Sequence, residues 1–274
     1  MWAKGWTELK RVLKMPDGGR TQKMDAVTPW YWEKVDLFDE VDVSARELFF
    51  RNATRKAVRK GQHVFRSDDD ANQVFYLQHG LVRIYHRSPE GNATIFWFCA
   101  PGDLFGAGGI TGSLTQSVNG EAVAPCVVYS ISRKSFEQMM SLNPNLAANV
   151  IRLMGARLRL ACDSLVDLRS ARSDQRIARA LLRLAINCGE RIDEGVRLNA
   201  PVTHQDIADM VGSCRQTVNE ILHQFEKRGW VAFGGRSIVL RAPDLLKEFA
   251  DNSVAVRESA AAAKDSSAGA ARIS

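Results

Sequence analysis

Thr203-His-Gln-Asp-Ile-Ala-Asp-Met-Val-Gly-Ser-Cys-Arg-Gln-Thr-Val-Asn-Glu-Ile-Leu222 is the stretch on which the fold turns. Ile207, Ala208, Met210 and Val211 make one short apolar helical face, and Gly212 supplies a tight turn. Val218, Ile221, Leu222 and Phe225 make a second apolar face at helical spacing. Two short helices crossing over a glycine predict a helix-turn-helix, whose second helix can place its first turn in the major groove. That first turn carries Arg215, Gln216, Asn219 and Glu220, opposite the apolar back. Arg can grip guanine O6 and N7, Gln or Asn can grip adenine N6 and N7, and Glu can accept from cytosine N4. On spacing alone, an amphipathic helix pair with a solvated polar face fits these residues equally well.

The residues that follow break this tie. Lys227-Arg-Gly-Trp-Val-Ala-Phe-Gly-Gly-Arg-Ser-Ile-Val-Leu240 reads as a helix end, a strand, a Gly-Gly turn and a second strand. A helix-turn-helix running straight into such a hairpin predicts a winged helix.

Composition sets the surrounding limits. A chain of 274 residues has room for two domains, and 45% hydrophobic with 25% charged content is that of a globular protein. A net charge of +6 mildly favours a polyanionic partner. The charge is not in the winged helix itself, where Thr203 to Arg241 holds five Lys or Arg against four Asp or Glu. It gathers just before, at Arg169, Arg172, Arg176, Arg179 and Arg183, as a solvated face or as phosphate contacts. No segment reaches the roughly 18 apolar residues of a membrane span, and the start of the chain lacks a signal-peptide core. Cys99, Cys126, Cys162, Cys188 and Cys214 form no Cys-x-x-Cys pair, which fits a reducing compartment and predicts a cytoplasmic protein without a disulfide framework or metal site. Nor is there a nucleophile–base pairing or a phosphate-binding glycine loop, so an enzyme is not expected.

Along the chain, residues 1–29 are expected to be an extension with little structure, and short helices follow to Ala57. Short segments at His63–Arg66, Val74–His79, Leu81–His86, Thr94–Ala100 and Cys126–Ile131, with glycine-bearing turns between them, predict an antiparallel β-barrel or jelly roll within a sensor domain over 30–134. From Ser135 to Arg169 the pattern is helical, interrupted near Asn143-Pro144. Within it Ile151, Met154, Leu158, Ala161, Leu165 and Leu168 alternate spacings of three and four, a heptad seam. A partner helix in a parallel homodimer would cover that seam; packing on the chain's own barrel is the other way to bury such residues, and Val150, Leu153 and Leu160 suit it. The DNA-binding domain is placed at 170–250, and the Ala- and Ser-rich residues 251–274 read as a disordered tail without a function.

This order of parts resembles the CRP/FNR superfamily of bacterial transcription regulators over about residues 36–250. The resemblance is carried by Val74-Phe-Tyr-Leu-Gln-His-Gly-Leu-Val-Arg-Ile84, Pro101-Gly-Asp-Leu-Phe-Gly106, Asp174-Gln-Arg-Ile-Ala-Arg-Ala-Leu-Leu182, Val211-Gly-Ser-Cys-Arg-Gln-Thr-Val-Asn219 and Gly229-Trp-Val231. It implies an α+β protein: a cyclic-nucleotide-binding-like β-barrel, a long dimerisation helix and a C-terminal winged helix-turn-helix. It further implies double-stranded DNA and RNA polymerase as partners, and a homodimer that reads a palindrome. By position, the family's base readers fall on Arg215, Gln216, Asn219 and Glu220, and its phosphate contacts on Cys214, Thr217, His204 and Arg236. Gln216 stands where Glu is usual and Glu220 where Arg is common, so the half-site should differ from the usual ones.

Members that bind cyclic AMP carry Gly-Glu after the barrel turn and then an Arg-Ser pair. Here the residues are Gly106-Ala107 and Gln116-Ser117, and Ala161 and Cys162 take the adenine-facing helix positions. Gln116 brings no cation to a phosphodiester, so cyclic AMP binding is not expected. Iron–sulfur sensing is unsupported, since the first cysteine is Cys99. His63, His79 and His86 leave a haem open, with none assigned as a ligand. A small apolar effector near Phe105, Ile110, Val118, Leu158 and Cys162 is the other candidate, and the same residues also read as plain core. Cys214 is placed at the recognition-helix N-cap beside Arg215, where helix dipole and cation favour thiolate; it is a candidate redox site or simply a tolerated small residue. A ligand- or redox-sensing module whose winged helix makes protein contacts is the alternative function.

Overall fold

A computed structural model of the chain describes residues 35–251 apart from 107, 109, 111, 199, 235 and 236. The first 34 residues, the tail from 252, and with them the expected extension and disordered tail, lie outside the described residues.

Strand β3 (Gln73–His79) shows how the N-terminal part is built. Its side chains alternate faces, yet Val74, Phe75, Tyr76 and Leu77 are all buried. Phe75 and Leu77 join a core with Phe65, Val82, Ile84, Phe105, Ala122 and Val128, whereas Val74 and Tyr76 join another with Phe49, Phe136, Leu146 and Val150. A strand covered on both sides loses its polar alternation, which is why it reads as a continuous apolar run.

Strands are numbered along the chain. The first sheet has the order β1 (Thr54–Val58), β8 (Cys126–Ser132), β3, β6 (Leu104–Phe105). The second has the order β2 (His63–Phe65), β7 (Asn119–Ala122), β4 (Val82–Arg87), β5 (Ala93–Cys99). Every pairing is antiparallel. Of the two expectations, barrel or jelly roll, the barrel is corrected: these are two open four-stranded antiparallel sheets sharing one apolar interior, with β1 and β6 edging one and β2 and β5 the other. The order of the strands was not legible because β1 and β7 carry little apolar signal of their own and β6 is only two residues long.

Each sheet's outer face has its own cover. Helices α1 (Val43–Asn52), α2 (Arg133–Leu142) and α3 (Pro144–Ser170) lie on the first, through Phe49, Phe136, Met139, Leu146, Val150 and Leu153. Pro144 opens α3, where its missing N–H costs no hydrogen bond. With 27 residues α3 spans about 40 Å. Among the described residues no helix is long and apolar enough to cross a membrane.

The outer face of the second sheet is covered by the C-terminal domain. Leu81, Tyr85, Ile95, Phe98, Ala100 and Val123 share one core with residues of α4 (Ser173–Cys188), α5 (His204–Val211) and α6 (Arg215–Lys227). A third four-stranded sheet of order β11 (Val231–Gly234), β12 (Ser237–Leu240), β10 (Gly195–Leu198), β9 (Gly189–Ile192) belongs to this domain. Hairpin β11–β12 follows α6 at once, with Val231 opposite Leu240 and Gly234 opposite Ser237. Past it, a helix over 243–251 buries Leu246 and Ala250.

Candidate nucleic-acid interface

Helix α5 starts from a reciprocal cap. The Thr203 hydroxyl accepts from the Asp206 N–H at 3.1 Å, and Asp206 Oδ2 accepts from the Thr203 N–H at 2.8 Å and from its hydroxyl at 2.7 Å. Such a cap satisfies two otherwise orphaned donors and is worth about 1 kcal/mol. The helix ends at Gly212, whose φ of 62° lies in the left-handed region. A Cβ there would come within 2.8 Å of Leu168 Cδ2, so the turn is pressed against the end of α3. Arg176 of α4 fixes the same corner, donating from Nε to the Val211 carbonyl at 2.9 Å and from Nη1 to the Ala171 carbonyl at 2.9 Å.

Helix α6 buries Val218, Ile221, Leu222 and Phe225. Burial of side chains of that size contributes about 1.5 to 3 kcal/mol each and fixes which edge faces water. Arg215, Gln216, Asn219 and Glu220 lie together on the exposed edge. Gln216 Nε2 donates to Glu220 Oε1 at 3.3 Å, so the two residues that depart from the family pattern are partners one turn apart. The helix N-cap is Cys214, as expected: its Sγ accepts from the Thr217 N–H at 3.4 Å and lies 3.1 Å from Thr217 Oγ1. These hydrogen bonds from Thr217 pull the fully exposed thiol below the ordinary cysteine pKa. His204 opens α5 and packs edge-on against Phe233 of β11, centroids 5.8 Å apart. Arg236 lies outside the described residues.

The arginine run before this unit requires a correction. Arg176, Arg179 and Arg183 are neither a solvated face nor free for phosphate. Arg179 pairs with Asp167 of α3 and donates to the Ala250 carbonyl at 2.7 Å, and Arg183 lies 3.5 Å from the other Asp167 oxygen and 3.4 Å from the Ser164 hydroxyl. Together they clamp α4 to α3 across the bend at Ala171. Only Arg169 and Arg172 stay exposed, and Arg172 pairs with Asp174 at 3.0 Å.

On α3, Ile151, Leu158 and Leu165 are 72%, 67% and 65% exposed, with Ala161 and Leu168 also exposed and Met154 half-buried. Val150 and Leu153 are buried on the chain's own body. Seam and packing face therefore lie on different sides of one helix.

The five residues expected to line an effector pocket lie in different surroundings. Phe105 stands 6.2 and 5.5 Å from Phe65 and Phe75, filling the sandwich interior, and Val118 packs on that core. Ile110 packs on the other core, while Leu158 and Cys162 face solvent. Gln116 is buried and donates to the Gly106 carbonyl at 3.3 Å. Ala107 lies outside the described residues. A cavity of about 50 Å³ lies elsewhere, among Trp97, Phe98, Ser164, Asp167, Arg183 and Met210, with room for a few waters rather than the roughly 300 Å³ of a drug-sized site. Of the candidate haem residues, His79 and His86 are exposed, and His63 lies 3.1 Å from the Tyr85 hydroxyl; burial, ahead of the opposing pull of Glu121, lowers its pKa. No cluster of metal-ligating side chains occurs among the described residues.

Sequence reasoning missed one site residue altogether. Arg83 of β4 donates from Nη1 to Asp206 Oδ1 at 2.8 Å, and from Nη2 to both Glu121 oxygens at 3.0 Å. Burial disfavours its charge, but the two carboxylates more than offset this and raise its pKa. The Thr203-x-x-Asp206 spacing signals the cap; nothing local signals a partner 123 residues away.

Comparison with known proteins matches two parts of the chain. Residues 55–143 match the cyclic nucleotide-binding domain model and residues 175–249 the Crp-like helix-turn-helix domain model. The chain is 25% identical over 207 residues to the CRP-like cAMP-activated global transcriptional regulator of Mycobacterium tuberculosis, covering 76% of this chain and 92% of that protein. It is 24% identical over 199 residues to the fumarate and nitrate reduction regulatory protein of Escherichia coli, covering 73% and 79%. Among solved structures, FixK2 of Bradyrhizobium japonicum aligns with a TM-score of 0.64 and 27% identity over 72% of this chain and 96% of that one. By name the first two of these relatives are regulators, of transcription in the first case. The chain thus carries a cyclic nucleotide-binding domain followed by a Crp-like helix-turn-helix domain, and in that order of parts it is similar to the CRP/FNR transcription regulators.

Proposed function

We propose that the protein is a homodimer that reads a palindromic operator through α6, docked as a winged helix, and that its sensor sandwich does not bind cyclic AMP. The observation that carries the reading is the division of α6: four base-reading side chain types on the exposed edge, four apolar residues locked beneath. Arg215 reads a guanine, and Gln216 and Asn219 are the adenine readers, with Glu220 beside them. Cys214, Thr217, His204 and Arg236 are the phosphate contacts of this reading. The seam Ile151, Met154, Leu158, Ala161, Leu165 and Leu168 joins two copies, because three leucine or isoleucine side chains left mostly in water on one stripe need a partner helix. Two-fold symmetry then sets the recognition helices about 34 Å apart, one DNA turn. RNA polymerase is the further partner that the family implies, and the protein acts in the cytoplasm beside its DNA.

Three features speak against cyclic AMP. Phe65, Phe75 and Phe105 fill the interior under the Gly106 turn, and a Cβ on Gly106 would meet Phe75 at 2.5 Å. Gln116 is uncharged and turned onto Gly106. Arg157, which reaches the sandwich from α3, is held by the Leu104 carbonyl and lies 5.2 Å over the Trp97 ring.

The test is selection of duplexes from a random pool by the wild-type chain and by Arg215→Ala. The wild type should enrich a palindrome, and the variant should lose discrimination at one position of each half-site, about 1 to 3 kcal/mol. Unchanged preference at every position removes Arg215 as a base reader, and an operator affinity that responds to cyclic AMP overturns the sensor assignment.

A further inference from the structure

Arg83 lies on the outer face of the second sheet, directly across from Glu121 on β7, which in turn faces His63 on β2. Its fork divides between two domains. Nη2 takes both Glu121 oxygens at 3.0 Å, and Nη1 takes Asp206 Oδ1 at 2.8 Å. Asp206 is divided likewise, since its other oxygen closes the cap at the start of α5. The Tyr85 hydroxyl donates to Glu121 Oε2 at 3.2 Å, and the Tyr85 ring lies 5.1 Å from the guanidinium carbon. The side chains of Arg83, Glu121 and Asp206 are only 22%, 14% and 7% exposed, so water and salt screen the charges weakly.

Around this point the contact between sandwich and DNA-binding domain is apolar, through Leu81, Tyr85, Ile95 and Phe98. Apolar contact is non-directional: it resists separation and tolerates sliding and rotation. A planar guanidinium held on both carboxylate oxygens of one domain and on a cap carboxylate of the other fixes an angle. In this docked arrangement the edge of Arg215, Gln216, Asn219 and Glu220 is exposed, and so is the stripe of Ile151, Leu158 and Leu165. The surfaces for DNA and for a second copy are thus free at the same time.

We infer that Arg83 is a positioning residue for DNA binding: through the Asp206 cap it sets the angle at which the sensor sandwich carries the helix-turn-helix, and the docked arrangement is the DNA-competent one. The inference rests on the proposed dimeric operator reading. Two helices on one rigid dimer match a palindrome only if each is held at a fixed angle. A single half-site makes no such demand, because one domain can turn freely to meet it.

The test uses the full chain with Arg83→Met, Asp206→Asn and both together. The Asp206→Asn side chain keeps an oxygen for the cap and loses the charge that Arg83 pairs with. Affinity is measured for the palindrome that the wild type selects, for an isolated half-site, and for palindromes with one base pair added or removed at the centre. Each single variant should lose about tenfold on the palindrome, the double variant no more than the worse single one, and discrimination between spacings should shrink. Half-site affinity should stay at the wild-type level. Wild-type palindrome affinity and spacing discrimination in all three variants would overturn the inference; so would additive losses, or a half-site loss equal to the palindrome loss, which marks damage to the cap alone. Small-angle scattering of the DNA-free chains separates this from failure of the functional reading. A larger radius of gyration in Arg83→Met supports the latch even if the wild type selects no palindrome, and an unchanged radius in all variants refutes it.

Discussion

Gly212→Ala and Gly155→Ala should move stability in opposite directions, although the chemical change is the same. Gly212 has φ of 62° and caps α5. An alanine in that conformation costs about 1 to 2 kcal/mol. Its methyl would also stand 2.8 Å from Leu168 Cδ2. Leu168 is half exposed and can turn away, which adds about 0.5 to 1.5 kcal/mol of rotamer cost. The sum is about 1.5 to 3.5 kcal/mol. Gly155 lies inside α3, and a Cβ there meets nothing within 4 Å. Alanine should gain about 0.5 to 1 kcal/mol by restricting the unfolded chain and favouring the helix. Denaturant titration of wild type and both variants reads the difference, with Gly212→Ala unfolding at lower denaturant and Gly155→Ala at higher. Because the Gly212 turn sets the start of α6, Gly212→Ala should weaken operator binding as well. The reasoning is refuted if both midpoints shift the same way, or if Gly212→Ala leaves the midpoint unchanged.

Asp167→Ala should be among the most damaging single changes, since it leaves Arg179 and Arg183 buried without their shared carboxylate; a loss of about 3 to 5 kcal/mol in denaturant titration is expected, and a loss under 1 kcal/mol would show that the clamp between α3 and α4 carries no weight. Cys214 should react with iodoacetamide faster than an unperturbed thiol at neutral pH, its rate falling as pH drops through the lowered pKa, and Thr217→Val should slow it. Mild peroxide should then weaken operator binding by the wild type and spare Cys214→Ser; equal losses in both would remove Cys214 from any redox role.

What was legible in the chain followed from local spacing. Val218, Ile221, Leu222 and Phe225 are buried as their period required, and the break at Asn143-Pro144 separates α2 from α3. Strands β3, β4, β5 and β8 were expected within a residue or so of where they lie, because each has enough apolar residues to announce itself. Strand β7, Asn119-Gly-Glu-Ala122, was not, since Gly120 offers no side chain and Glu121 is held by a salt bridge rather than by apolar contact. Nor was β1, whose Thr54-Arg-Lys-Ala-Val58 is exposed almost throughout on a sheet edge. Hairpin β9–β10 was missed for a similar reason: Gly189-Glu-Arg-Ile192 carries too few apolar residues to stand out from a loop.

Spacing along the chain therefore determined the two crossed helices, the polar edge of the second, and the long helix with its separate stripe. These depend on neighbours three or four residues apart, whose side chains must share a face whatever the rest of the molecule does. Only the tertiary structure decided the fate of the arginines. Charge in a linear text looks solvated by default, yet Arg176 closes a helix end, Arg179 and Arg183 grip Asp167, and Arg83 joins two domains. An ion pair forms wherever two charges come within a few ångströms in space, and separation along the chain does not enter its energy.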